Sequence, residues 1–171
     1  MRTPGALTAI LILAPACGAW AGDATPGLHG LSIGMTPAQA SAAAALPCKT
    51  PPYSSDLTCH DASDGSDYNV SFSAGSPSLA LVVSHSFCAH NEPAAVRRQV
   101  LATLDARDAT VEPDPNGFHV DLGARSEAIL NADDGTCPDG RGKHYVLSLR
   151  SDALITTESK KASDRAKKAL R

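Results

Sequence analysis

The chain has 171 residues, 43% of them hydrophobic and 19% charged, with a formal net charge of −3 at neutral pH. This length and balance suit one globular domain and exclude a wholly disordered chain. The charge is uneven: residues 23–155 hold 16 acidic and 8 basic side chains, whereas residues 156–171 hold 2 and 6. An acidic body argues against nucleic-acid binding by the domain itself.

The first residues have the order of a secretory signal peptide. Arg2 gives a positive start, the stretch from Ala6 to Ala14 is apolar, and Ala19-Trp20-Ala21 places small residues around a cleavage point. A cleaved leader is therefore expected over residues 1–21. Its apolar run is shorter than the roughly 20 residues a membrane span needs, and no later run is longer, so no transmembrane segment is expected. Leu13-Ala14-Pro15-Ala16-Cys17 fits a lipoprotein cleavage box poorly, and lipidation at Cys17 is not expected. Losing the leader would remove Cys17 and the only tryptophan, Trp20, and leave Cys48, Cys59, Cys88 and Cys137. An even set of cysteines in a small exported domain predicts two disulfides, with three pairings possible. Cys48–Cys59 with Cys88–Cys137 is the pairing nearest in sequence. The expected location is the periplasm or the cell exterior.

Beyond a polar lead-in, Thr36-Pro37-Ala38-Gln39 has the form of a capped helix start, with proline at the first helical position. The alanine-rich run extends that helix to Leu46, where Pro47 stops it. Leu57-Thr58-Cys59-His60 reads as a strand. Tyr68, Val70 and Phe72 alternate with polar residues, as do Leu79, Leu81, Val83, His85 and Phe87, which predicts an antiparallel meander. Pro93 opens a second helix with Val96, Val100, Leu101 and Leu104 on one stripe. Residues 105–117 read as a loop. Strands follow at Phe118 to Leu122, Ser126 to Asn131 and Lys143 to Leu149. In residues 156–171, Ala162, Ala166 and Leu170 recur at helical spacing, but so thin an apolar edge predicts a basic, frayed or disordered tail.

The order helix, strands, helix, strands predicts an α+β fold: a largely antiparallel sheet with two helices packed on one face. The expected organisation is a signal peptide (1–21), a single disulfide-stapled domain (22–155) and the tail (156–171). The two helix-then-strands halves have the form of a degenerate repeat without residue-level identity.

Ile33-Gly34-Met35-Thr36-Pro37-Ala38-Gln39-Ala40, followed by Leu46-Pro47, resembles the Gly-Met-Thr helix start and Pro stop of small bacterial envelope domains, namely SmpA/OmlA-like lipoproteins and β-lactamase-inhibitor-like proteins. The resemblance covers about 16 residues and implies an α+β domain used for protein–protein contact.

The chemistry-bearing residues form few patterns. His60, His85 and His90, beside Cys59 and Cys88, are candidate zinc ligands by type, but no Cys-x-x-Cys or His-x-x-x-His unit accompanies them. Asp61, Asp64, Gly65 and Asp67 match a calcium loop at too few positions. Asp133-Asp134 is read as a solvated turn. No Gly-x-Ser-x-Gly elbow, Walker glycine pattern or dinucleotide-binding glycine pattern occurs. No cofactor, metal or catalytic residue is assigned. The expectation is a non-enzymatic exported domain that binds another envelope or secreted protein. The alternatives are a secreted hydrolase with a Ser/His site assembled by the fold, or a metal binder using His60, His85 and His90.

Overall fold

Runs that alternate apolar and polar residues bury one side of a pleated sheet, and they set this architecture. The computed structural model describes residues 27–104, 106, 109–114, 117–123 and 125–169. The expected leader, with Cys17 and Trp20, lies outside the described residues. In chain order the elements are β1 (Gly27–Leu28), β2 (Leu31–Ser32), α1 (Pro37–Ala43), β3 (Cys48–Lys49), β4 (Leu57–Asp61), β5 (Ser66–Phe72), β6 (Ala80–Ala89), α2 (Pro93–Thr103), β7 (Val111–Asp114), β8 (Gly117–Gly123), β9 (Ser126–Asp133), β10 (Lys143–Ser151) and α3 (Asp152–Ala169).

β1 and β2 form a small hairpin, and the other strands form one eight-stranded sheet in the order β3-β4-β5-β6-β10-β9-β8-β7. Every neighbouring pair is antiparallel. The fold is α+β. Each half is a helix followed by a four-strand meander, α1 with β3–β6 and α2 with β7–β10. The meanders meet through their last strands, so the order is symmetric about the β6–β10 seam.

Register carries the alternation straight across the sheet. Leu57, Val70, Val83, Leu149, Ala128, Val120 and Val111 are successive cross-strand partners from β4 to β7. Val70, Val83, Leu149, Ala128 and Val120 are all 0% exposed. Each such valine or leucine contributes about 1.5–3 kcal/mol by leaving water. These side chains join Ala40 of α1 and Val96, Val100 and Leu101 of α2 in one core cluster.

The first helix starts as its sequence dictates. Thr36 Oγ1 accepts from the Gln39 amide (3.3 Å), and Gln39 Oε1 accepts from the Thr36 amide (2.9 Å). It ends at Ala43 rather than Leu46, because the chain must leave the helix to bring Cys48 opposite Cys59.

Four further elements differ from expectation. The polar lead-in contains the β1–β2 hairpin, whose turn residues His29 and Gly30 both take positive φ (51° and 82°), the geometry of a tight two-residue hairpin turn. Its Leu28 and Leu31 are buried. Cys48–Lys49 pairs with β4 as a short edge strand, β3. The expected loop contains β7, which pairs with β8 even though it carries Pro113. β7 is the opposite edge strand, where a missing N–H breaks no ladder.

The fourth difference is α3, a helix over most of the segment expected to be frayed or disordered. It begins at Asp152, directly after β10, so its first turns lie on the body: Leu154 packs against the core and Glu158 is buried. Lys161 Nζ donates to Glu158 Oε1 (2.7 Å), and this bond holds the Glu158 carboxyl below its usual range. Residues 159–169 are all exposed. No helix among the described residues is long and apolar enough to cross a membrane.

Candidate functional site

The strand period gives the sheet two chemically different faces. On the buried face, side chains from neighbouring strands stack. The Tyr68 and His85 rings lie 4.2 Å apart and nearly parallel, His85 and Phe87 are 4.8 Å apart, and Phe87 and Tyr145 are 5.8 Å apart. His29, in the β1–β2 turn, approaches Tyr68 at 5.2 Å. The ladder follows from register: Tyr68 pairs with His85 across β5–β6, and Phe87 with Tyr145 across β6–β10.

Above this ladder lies a groove of about 470 Å³. Tyr68, His85, Phe87 and Leu147 line it from the sheet, Val96, Gln99, Val100 and Thr103 from α2, and Leu28 and His29 from the small hairpin. His85 Nε2 is buried and has no hydrogen-bond partner. Burial pushes the His85 pKa below its ordinary value, partly offset by Asp64, so the ring is held towards its neutral form. Burial likewise raises the Tyr68 phenol.

The opposite face has a different composition. The row one residue along from the buried one reads Thr58, Asn69, Ser84, Ser148, Ile129, His119 and Glu112. Asn69, Ser84, Val82, Ser86, Val146, Ser148 and Ile129 form a half-buried, uncharged patch, with Asp67 beside Ser86 and Arg150 beside Val82 on the same face. Charge gathers towards the β7–β8–β9 side. There Glu127, itself buried, holds His119 Nε2 through one carboxylate oxygen and Arg150 Nε through the other. Arg150 also approaches Asp152 (3.6 Å), and His119 approaches Glu112 (3.9 Å).

Both cysteine pairs are formed, Cys48–Cys59 and Cys88–Cys137. The first is a direct cross-strand pair of β3 and β4, and the second ties β6 to the connection between β9 and β10. His60, His85 and His90 are not brought together. His60 lies on the open face with Asp67 (2.8 Å), whereas His85 and His90 both line the groove on the other face, His90 also meeting Asp139 (3.3 Å). No group of three candidate metal ligands exists among the described residues.

Asp61 and Asp64 act as turn formers: Asp61 Oδ1 accepts from the Ser63 amide and hydroxyl, and Asp64 Oδ1 from the Ser66 amide. The bonds from Ser63 hold the Asp61 carboxyl below its usual range. Asp133 Oδ1 likewise accepts from the Gly135 amide. No serine–histidine hydrogen bond is present among the described residues.

Sequence reasoning missed the aromatic ladder and the Glu127 cluster. The ladder's signal was present, since Tyr68 and His85 both sit at inward positions of alternating runs, but the pairing of β5 with β6 had to be known in register. Glu127 gave only an outward position in a strand. Comparison with known proteins adds nothing to this picture: no family model matches the chain, and no curated protein or solved structure matches it.

Proposed function

We propose that the protein is an exported, non-enzymatic binding module, with α1 and α2 both covering the buried face of the sheet and the open face serving as the contact surface for another envelope or secreted protein. The observation that carries this reading is the composition of the open face. Between Asp67 at one end and the Arg150–Glu127 pair at the other, the face across β5, β6, β10 and β9 is made of Ser84, Ser86, Ser148, Asn69, Val82, Val146 and Ile129. Depletion of charge at the centre of a patch with a polar rim is one compositional signal of a protein–protein interface. The rim carries Asp67, Glu112, Asp121 and Asp133, which favours a partner with basic residues around a flat, weakly polar patch and disfavours a phosphate backbone.

Export is supported by the leader-like residues 1–21 and by the pairing of all four remaining cysteines. The helix-start motif, similar to that of SmpA/OmlA-like and β-lactamase-inhibitor-like envelope domains, points the same way. Intact mass from an exporting host tests it: cleavage after Ala21, no lipid, and the loss of four hydrogens are the expected results.

The contact surface is tested by capture from envelope extract with the mature protein, its Ser148→Arg variant and an Ala102→Arg control on exposed α2 surface. The expected result is one partner bound by wild type and control and lost with Ser148→Arg. No reproducible partner, or equal capture by all three proteins, would refute the reading.

A further inference from the structure

We propose that the groove between α2, the β1–β2 hairpin and the aromatic ladder is a binding site for a small, mainly apolar molecule with a phenol-like hydroxyl head. The site lies on the opposite side of the sheet from the surface proposed above and stands independently of it.

Three observations converge. The groove, at about 470 Å³, falls in the size range of small-molecule sites. Its floor is built of stacked rings, Tyr68 on His85 on Phe87. Side chains on a strand stand roughly upright from the sheet, so these rings present their edges to the groove, a surface that matches a flat apolar body. Within that floor, His85 Nε2 is buried without a hydrogen-bond partner. A buried imidazole nitrogen left unpaired is a cost that a ligand's polar head relieves. Nε2 is the ring nitrogen farther from the backbone, so it belongs to the edge that faces the groove.

A hydroxyl fits either tautomer. It donates to a bare Nε2 and accepts from a protonated one. The same burial keeps His85 neutral, which favours an uncharged head over a carboxylate. A cationic head would find only Asp64, at the exposed mouth. Nε2 has almost no solvent contact, so binding requires one wall of the groove to shift, and the β1–β2 turn is one such wall. That turn is a two-residue connection whose tip, His29–Gly30, is exposed.

The test uses p-cresol and toluene, which differ by the hydroxyl, titrated into the oxidised mature protein and followed by the ¹⁵N resonances of the His85 imidazole. Expected is saturable binding of p-cresol with movement of the His85 Nε2 signal, and binding of toluene about tenfold weaker. His85→Phe keeps a ring in the stack and removes the nitrogen. It should weaken p-cresol about tenfold and leave toluene no weaker. Gln99→Trp, a substitution at an exposed groove-lining position of α2, should block both probes. Far-UV circular dichroism confirms that each variant is folded, and an unfolded variant is replaced by His85→Leu or Thr103→Trp. Absence of saturable p-cresol binding, equal affinity for both probes, or unchanged p-cresol affinity in a folded His85 variant would each overturn the proposal.

Discussion

Removing the two disulfides one at a time tests whether loop length sets what each contributes. Cys48–Cys59 closes a sequence separation of 11 and Cys88–Cys137 one of 49. Loop-closure entropy assigns about 3 kcal/mol to the first and about 4 kcal/mol to the second. Truncating a buried sulfur adds a packing cost to both, since Cys59 is 0% and Cys137 4% exposed, and that cost largely cancels in the comparison. Cys48→Ala/Cys59→Ala should therefore cost about 1 kcal/mol less than Cys88→Ala/Cys137→Ala. Context acts in the same direction: β3–β4 pairing already holds Cys48 opposite Cys59, whereas Cys137 lies in a connection outside any strand. The assay is urea unfolding of proteins lacking residues 1–21, followed by far-UV circular dichroism, because the only tryptophan, Trp20, lies in that segment. Free energies extrapolated to water are compared rather than midpoints, since losing a cross-link exposes more surface on unfolding and changes the slope. In a thermal scan the difference corresponds to about 2–4 °C. If the Cys48/Cys59 variant proves the less stable by 1 kcal/mol or more (roughly the predicted difference with its sign reversed), neither loop length nor strand pairing governs the staples, and the reasoning fails.

Leu149→Ala, in the middle of the fully buried row, should cost about 2–5 kcal/mol in the same assay, while Ser71→Ala on the exposed side of β5 stays within about 0.5 kcal/mol. Thr36→Ala removes one half of the capping box and should cost about 1 kcal/mol, partly recovered by Thr36→Ser. Gly117→Ala would place a Cβ against the Leu130 carbonyl and must push β8 away from β9, so hydrogen exchange should accelerate along that strand pair. His85 carries a pH signature. Its folded pKa is depressed below 6.5 by burial, so the stability contributed by the neutral ring is complete above that value and is lost as pH falls through the folded pKa. Unfolding free energy should therefore drop less between about pH 7.5 and about pH 5 in His85→Phe than in wild type. An identical drop in both proteins would show that His85 titrates alike in folded and unfolded chains.

The parts of the fold legible in the sequence are those set by neighbours in the chain. Tyr68, Val70 and Phe72 alternate because β5 buries one side, and Thr36, Pro37 and Gln39 cap α1 through contacts three residues apart. The parts that were not legible depend on distant partners. Nothing local to Val111–Asp114 marks a strand, and Pro113 argues against one, until β7 is known to be an edge. Asp152–Ala169 lacks the apolar stripe of a stable isolated helix, and its anchors, Leu154 and Glu158, act only where β10 delivers them to the body. The candidate site divides in the same way. The inward position of His85 was readable from Val83 and Phe87, but its unpaired Nε2 depends on Tyr68 from β5 and on a hairpin that the composition of residues 23–30 conceals.

Register links these features. Because the strand period is two, a one-residue slip of β6 against β5 and β10 would turn Val83 and Phe87 outward and set Ser84 and Ser86 into the core. The open face and the groove are therefore two consequences of one pairing. The pairing is held at one edge by Cys48 opposite Cys59, and Cys88–Cys137 ties β6 to the β9–β10 connection beside the seam. The rows differ in how much change they tolerate. The buried row is constrained by volume at every position, whereas Ser84, Ser148 and Ile129 on the open row meet only their cross-strand neighbours among the paired strands. Their lack of charge is not required by the core, and the proposed contact surface rests on that difference between the rows.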